Sequence, residues 1–334
     1  MILDVHSHYF PESWPDFEEK FGTPSWPWIQ HRGDGEAMIM VGNQEFRRIY
    51  APCWDVDIRL EEMDRHGVHS QVISATPILF MYDKPPDQAL ECARIFNDAA
   101  RELCRRSGGR LHSLAQVPLQ DPNVSCEEVT RIMKDGHLGV HIGNHIGEKE
   151  LADEGLIEFL QHCANEGAAV FVHPWDMFGR ERMSQYMLPW LVGMPAETQL
   201  SILWLILSGA FEKLPKSLRI GFAHGGGSFA FLAGRLDNAW ENHPVVRDRC
   251  PERPSSYVDR FYVDSAVFSE KSLHLLVDVM GPDRVFLGTD YPFPLGEQKL
   301  GGLVRDATVL DSSVKEKITY DNAAAFLGWP VRRE

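Results

Sequence analysis

Short runs of apolar and β-branched residues recur along the chain, separated by longer stretches whose apolar positions return every three or four residues. The short runs fall at residues 2–5, 71–75, 111–117, 138–142, 169–172, 219–223, 261–263 and 284–287. Runs this short, apolar on both faces, suit strands covered from two sides. The longer stretches, at 87–106, 125–134, 151–166, 197–213, 229–240 and 270–280, read as helices with one apolar stripe. Strands alternating with helices predict parallel βα units, and eight of them close a (β/α)8 TIM barrel.

Residues 9–54 break the alternation: they follow the first strand and are rich in Pro, Gly, Trp and charge. The pattern from Ala37 to Arg47 predicts a hairpin turning at Gly42-Asn43. The expectation is one domain over 1–334, with 9–54 a small lid-like insertion over the barrel mouth. The apolar run at 200–211 is broken by Ser201, Ser208 and Gly209 and is too short to span a bilayer; it reads as a buried helix. No internal repeat or low-complexity tract interrupts this plan.

Chemistry gathers at strand ends. The first strand finishes Asp4-Val-His6-Ser-His8, and residues two apart on a strand project to the same side. Two histidines so placed suit one metal ion, although alone they could equally be surface residues. Three further runs end in His or Asp: Val170-Phe-Val-His173, Gly221-Phe-Ala-His224 and Val285-Phe-Leu-Gly-Thr-Asp290. Each therefore falls at the C-terminal end of a strand, where barrel enzymes keep their active sites. Core packing does not account for this, because a buried His or Asp needs a partner for its polar atoms.

His6, His8, His173 and Asp290 form a set of three imidazoles and one carboxylate. That set suits Zn²⁺, one per chain, and Co²⁺, Fe²⁺ or Mn²⁺ would also fit it. His224, followed by Gly225-Gly-Gly227, is either the general base or one more ligand. The fourth strand reads Gly139-Val-His141-Ile-Gly-Asn-His145, without the lysine that bridges two ions in two-metal barrels. A single metal is expected, with hydrogen-bonded structural roles for His141 and His145.

Composition narrows the partners. The formal net charge of -15 and the lack of a basic stretch argue against nucleic acid or an anionic membrane, but not against a small anionic substrate met by a few arginines. Six scattered cysteines without a CxxC pair, and an N-terminus that is not a signal peptide, suit a cytoplasmic enzyme.

Five strings carry a resemblance: the HxH pair, HPWDM at 173–177, LPWLVGMPAET at 188–198, FAHGGGSFAF at 222–231 and GTDYPFPLGEQ at 288–298. Together, from residue 2 to about residue 328, the chain resembles the amidohydrolase superfamily, and within it the zinc decarboxylases of tryptophan and 2-nitrobenzoate catabolism. The resemblance implies a non-oxidative carboxy-lyase that converts 2-amino-3-carboxymuconate 6-semialdehyde into 2-aminomuconate 6-semialdehyde and CO₂. It gives His6, His8, His173 and Asp290 as zinc ligands and His224 as the catalytic base. It adds Arg47, beside Arg48, as the clamp on a substrate carboxylate, and Trp190 and Phe293 as pocket walls. Arg235 would reach in from the neighbouring subunit of a homodimer, although its spacing alone reads as a helix-surface charge near Asp237 and Glu241. Three other readings are a barrel decarboxylase of an aromatic acid, a metal-dependent amide or lactone hydrolase, and a non-catalytic metal-binding scaffold.

Overall fold

Eight parallel strands occupy the places that the apolar runs marked, in a computed structural model that describes residues 1–330; the last four positions of the expected 1–334 domain lie outside the described residues. The chain opens with β1 (Leu3–Tyr9), followed by β2 (Pro27–Gly33), β3 (Glu36–Val41) and β4 (Gln44–Tyr50). Next come β5 (Ser70–Ala75), β6 (Leu111–Leu114), β7 (Gly139–Gly143) and the short antiparallel pair β8 (His145–Ile146) and β9 (Lys149–Glu150). The series finishes with β10 (Ala169–His173), β11 (Arg219–Phe222), β12 (Tyr262–Asp264) and β13 (Val285–Phe286).

Parallel ladders run in the orders β1-β5-β6 and β13-β12-β11-β10-β7. A bridge between Ala115 and Val140 joins the first set to the second, and one between Ser7 and Tyr291 leads back to β1. At that seam the Val5 amide donates to the Leu287 carbonyl at 2.9 Å, and the His8 amide to the Tyr291 carbonyl at 2.7 Å. The fold is TIM-barrel-like. β1 extends to Tyr9, beyond its apolar stretch, because β5 pairs with one edge of it and the chain after β13 with the other.

Inside the ring, Leu3, Val5, Val72, Phe171, Ala223 and Phe286 fill one apolar cluster. A larger cluster lies between the strands and the surrounding helices. The helix Pro86–Arg106 shows why: Ala89, Cys92, Ala93, Phe96, Ala100 and Cys104 are buried at three- and four-residue spacing. One helix, Val56–His66, has no strong apolar pattern in the sequence. Asp55 caps it by accepting from the Asp57 and Ile58 amides, Gly67 ends it at φ 71, and Val56, Arg59 and Met63 are its buried face.

Two expectations are corrected. The stretch at 197–213 is two helices, Met194–Leu207 and Ala210–Lys213, because the chain turns at Gly209 (φ 75), where a Cβ would stand 2.6 Å from the Arg249 carbonyl oxygen. Nor is this region wholly buried: Ile202, Leu205 and Ile206 face the core, whereas Leu200 and Trp204 are exposed. Counted from Pro189 to Leu207, the helical run is long and apolar enough to cross a membrane by length and composition, with 44% of its window buried inside the fold. The segment after β1 holds a three-stranded antiparallel sheet, β2-β3-β4. Val41 pairs with Gln44, which puts Gly42-Asn43 in the expected turn; β2 is an additional strand.

Candidate metal centre

At the C-terminal ends of the strands, four side chains meet that the sequence keeps far apart. His6 and His8 leave the same side of β1, His173 ends β10, and Asp290 follows β13. One donor atom from each lies within 4.8 Å of the other three, and all four residues are buried. His6 Nε2 is 3.2 Å from His8 Nε2 and 3.4 Å from Asp290 Oδ1, and His8 Nε2 is 3.1 Å from the same oxygen. Ligands held about 2.0–2.1 Å from a tetrahedral ion stand about 3.3 Å from one another. His6, His8 and Asp290 thus have the spacing of a coordination shell, and His173 lies within 4.8 Å of each.

Hydrogen bonds on the far side of the rings fix which nitrogen faces inward. His6 Nδ1 donates to Asp264 Oδ2 at 2.5 Å, and His173 Nδ1 to the Pro174 carbonyl at 2.7 Å. Both Nε2 atoms therefore face the centre, and that of His173 is buried with no partner in the protein. Burial lowers the pKa of His8 to about 4 and holds that of His173 well below the usual imidazole range, so both rings are neutral near pH 7. Burial alone would raise the Asp290 carboxyl, but contacts from His224 and His8 and the charge on His6 hold it well below 3.8. Burial would lower His6, and the carboxylates of Asp264, Asp290 and Asp4 more than offset this. Imidazole nitrogens backed by buried carboxylates are a donor set that calls for a divalent cation.

His224 stands beside this group rather than in it, with Nε2 3.6 Å from Asp290 Oδ2. Its backbone is left-handed (φ 55), as is that of Asp290 (φ 58), a conformation that side-chain-bearing residues avoid unless their surroundings enforce it. For His224 the enforcing contacts are Asp264 Oδ2, which accepts the His224 amide at 3.0 Å, and Asp264 Oδ1, which accepts the Gly225 amide at 2.8 Å.

A cavity of about 740 Å³ opens above the cluster and is walled by Arg47, Trp175, Met177, Trp190, Met194 and Phe293, among others. A family model described as amidohydrolase matches residues 3–329. The chain belongs to the amidohydrolase family. Among curated relatives, this amidohydrolase is 41% identical to the 2-amino-3-carboxymuconate-6-semialdehyde decarboxylase of Dictyostelium discoideum, over 98% of this chain and 91% of that one. It is 31% identical to the same-named protein of Caenorhabditis elegans, over 97% and 94%. Its fold is shared with the crystal structure of 5-carboxyvanillate decarboxylase from Sphingomonas paucimobilis (TM-score 0.82, 21% identity, covering 98% of this chain and 99% of that one). The amidohydrolase thus groups with decarboxylases.

Of the two adjacent arginines, Arg47 is the one that faces the centre. Its guanidinium carbon lies 4.7 Å from the Phe293 ring centroid, burial lowers its pKa, and Asp290 pulls the other way. Arg48 also touches the cavity rim, but it is exposed and pairs with Glu36 at 3.4 Å, as strand alternation requires for neighbouring residues. Trp190 and Phe293 line the cavity as expected, and the Phe293 ring lies 5.4 Å from that of His8. Arg235 is not brought to the site within this chain. It is exposed on the helix Phe229–Asn242, one turn after the exposed Phe231, while Asp237 and Glu241 are engaged by Ser255 and Arg253. His141 is buried on β7 with Nδ1 3.2 Å from the Ala75 carbonyl, and its ring packs 5.6 Å from His8. His145 bonds the Gly147 carbonyl at 2.9 Å and stays outside the cluster.

The residue missed in the sequence is Asp264. It ends β12, and the rule that singled out His173 and Asp290 applies equally to the run Phe261-Tyr-Val-Asp264.

Proposed function

We propose that this amidohydrolase is a zinc-dependent carboxy-lyase that converts 2-amino-3-carboxymuconate 6-semialdehyde into 2-aminomuconate 6-semialdehyde and CO₂. The observation that carries the reading is the buried group of His6, His8, His173 and Asp290 on the floor of a cavity that also holds Arg47, in a chain 41% identical to a decarboxylase of that name. In this reading the ring is a closed (β/α)8 barrel forming one domain over 1–334, residues 9–54 act as its lid, and the protein works in the cytoplasm.

His6, His8, His173 and Asp290 hold one Zn²⁺. When bound, a divalent ion there supplies a Lewis acid and an acidified water. His224 takes up a proton and, as imidazolium, delivers it to the substrate carbon that bears the departing carboxylate. Protonation there makes the adjoining enamine carbon electron-poor. The electron pair of the breaking C–CO₂ bond then restores the enamine, so the net change replaces CO₂ with H and needs no oxidant. Arg47 clamps a substrate carboxylate in a planar, two-pronged pairing, stacked on Phe293, and Trp190 lines the same cavity. Arg235 completes the neighbouring subunit's site in a homodimer. The exposed Phe231 on the same helix face supports an interface there.

The test is direct: mix purified protein with freshly made aminocarboxymuconate semialdehyde, then follow its near-UV absorbance and CO₂ release together. Absorbance decay matched by CO₂ supports the reading. Decay without CO₂ makes the protein a hydrolase, and turnover of hydroxybenzoates alone makes it an aromatic-acid decarboxylase.

A further inference from the structure

Arg59, in the helix Val56–His66, is 2% exposed. A guanidinium keeps its charge at any ordinary pH, and an apolar side chain of similar volume would fill the same space without the desolvation penalty. What Arg59 touches explains its presence. Nε donates to the Pro52 carbonyl at 3.0 Å, one terminal nitrogen donates to Ser7 Oγ and Gln71 Oε1, both at 3.3 Å, and the other donates to the His8 carbonyl. The Tyr291 ring covers the guanidinium at 4.9 Å, and the Tyr291 hydroxyl donates to Glu62 Oε2 at 2.6 Å.

The contacts continue one group further. Gln71 Nε2 donates to Asp4 Oδ2 at 3.0 Å. Asp4 in turn accepts from the Thr289 hydroxyl at 2.6 Å, from the Thr289 amide at 3.1 Å and from the His6 amide at 3.2 Å. One cation thus lies at the seam where β1 meets the chain after β13. It holds Ser7 and His8 on one side and, on the other, the ring of the residue that follows Asp290. Its charge is met by Asp4 and Glu62, each reached through a single intermediary. Pro52, its remaining partner, belongs to the segment returning from the β2-β3-β4 sheet.

We propose that Arg59 is a positioning residue for the metal centre, setting the placement of His8 relative to Asp290 and tying the return of the inserted segment to that placement. A lysine would not replace it, since an ammonium is a point charge and cannot present a planar fork to Pro52, Ser7, Gln71 and His8 together. The inference rests on the metal reading of the four-residue cluster. Its test therefore measures metal alone, without substrate.

The affinity of wild type and Arg59→Lys for Zn²⁺ is measured by competition with a chromophoric chelator, well below either melting temperature, with near-UV circular dichroism to establish the fold. Partners behind metal ligands typically change metal affinity about 10- to 100-fold, and a loss of that size is expected in folded Arg59→Lys. Wild-type affinity accompanied only by a lower melting temperature overturns the proposal and leaves Arg59 a packing residue. If Arg59→Lys does not fold, Tyr291→Leu decides: it keeps the guanidinium and removes the ring beside Asp290, so the same loss is expected and an unchanged affinity overturns the proposal. Wild-type protein that holds no divalent ion overturns both this proposal and the metal reading, and it is recognised before any substitution is made.

Discussion

Replacing Asp264 with Asn changes one atom and removes one charge, and its four donors make the consequence calculable. Oδ2 accepts from His6 Nδ1 at 2.5 Å and the His224 amide at 3.0 Å, while Oδ1 accepts from the Gly225 amide at 2.8 Å and the Ala266 amide at 3.0 Å. An amide NH₂ must therefore face donors whichever way it turns. Facing His6, it obliges Nδ1 to accept and moves the ring proton to Nε2, the atom turned toward His8 and Asp290, where a protonated nitrogen cannot bind metal. Facing Gly225 and Ala266, it strands two buried amides at about 1–3 kcal/mol each, and His6 still loses a bond to a charged partner worth about 1.5–3 kcal/mol. That bond alone corresponds to about 10- to 100-fold in an equilibrium constant. Folded Asp264→Asn should thus hold Zn²⁺ about 10- to 100-fold more weakly than wild type, measured by chelator competition near neutral pH. Wild-type affinity in the folded variant would refute the argument that this carboxylate sets the His6 tautomer.

His6→Ala and Asp290→Ala should lose the ion, whereas His224→Ala should keep it and lose about 10²–10⁴ in rate; a metal-free His224→Ala in elemental analysis would make His224 a ligand. Arg235→Ala and His173→Ala, each inactive alone, should regain activity on subunit exchange, because a mixed dimer can gather both lesions in one site and leave the other intact. No recovery means that Arg235 acts in its own chain or not at all. Glu297 is half-buried, and burial raises its carboxyl from 4.5 to about 7 against hydrogen bonds from the Leu303 and Gly301 amides. The folded state binds that proton more tightly, so the stability it contributes is full below pH 4.5 and is lost as pH rises to about 7, by at most about 3 kcal/mol. Thermal melts between those limits should fall more steeply for wild type than for Glu297→Gln, and parallel slopes would exclude the assignment.

What the sequence disclosed depended on local rules. Strand order, the strand-end position of His173, His224 and Asp290, and the turn at Gly42-Asn43 follow from period, chain length and turn chemistry, which operate within a few residues. Asp264 obeys the same strand-end rule, although its run, at three residues, is the shortest of the eight. Arg59 was not reachable. On a charged helix its spacing reads as surface, and only the pairing of β1 with β5 and with the chain after β13 shows that the space around it is closed. Arg47 and Arg48 could not be separated until the register of β4 against β3 was known.

The seam between β1 and the chain after β13 also fixes when the protein can first acquire its metal. Asp4 and Thr289, bonded across that seam, are 285 positions apart, and His8 and Asp290 of the four-residue cluster flank the same join. During synthesis, then, the histidine pair emerges first and waits for its carboxylate until residue 290 has been made. A ribosome that stalls between residues 173 and 290 leaves a chain with three of the four residues of the cluster and no means of closing the ring. Joining two such distant segments carries the full entropy of closing that loop. Metal capture should accordingly follow the synthesis of residue 290, and an ion retained through a chelator challenge would report that the two sides of the seam have met.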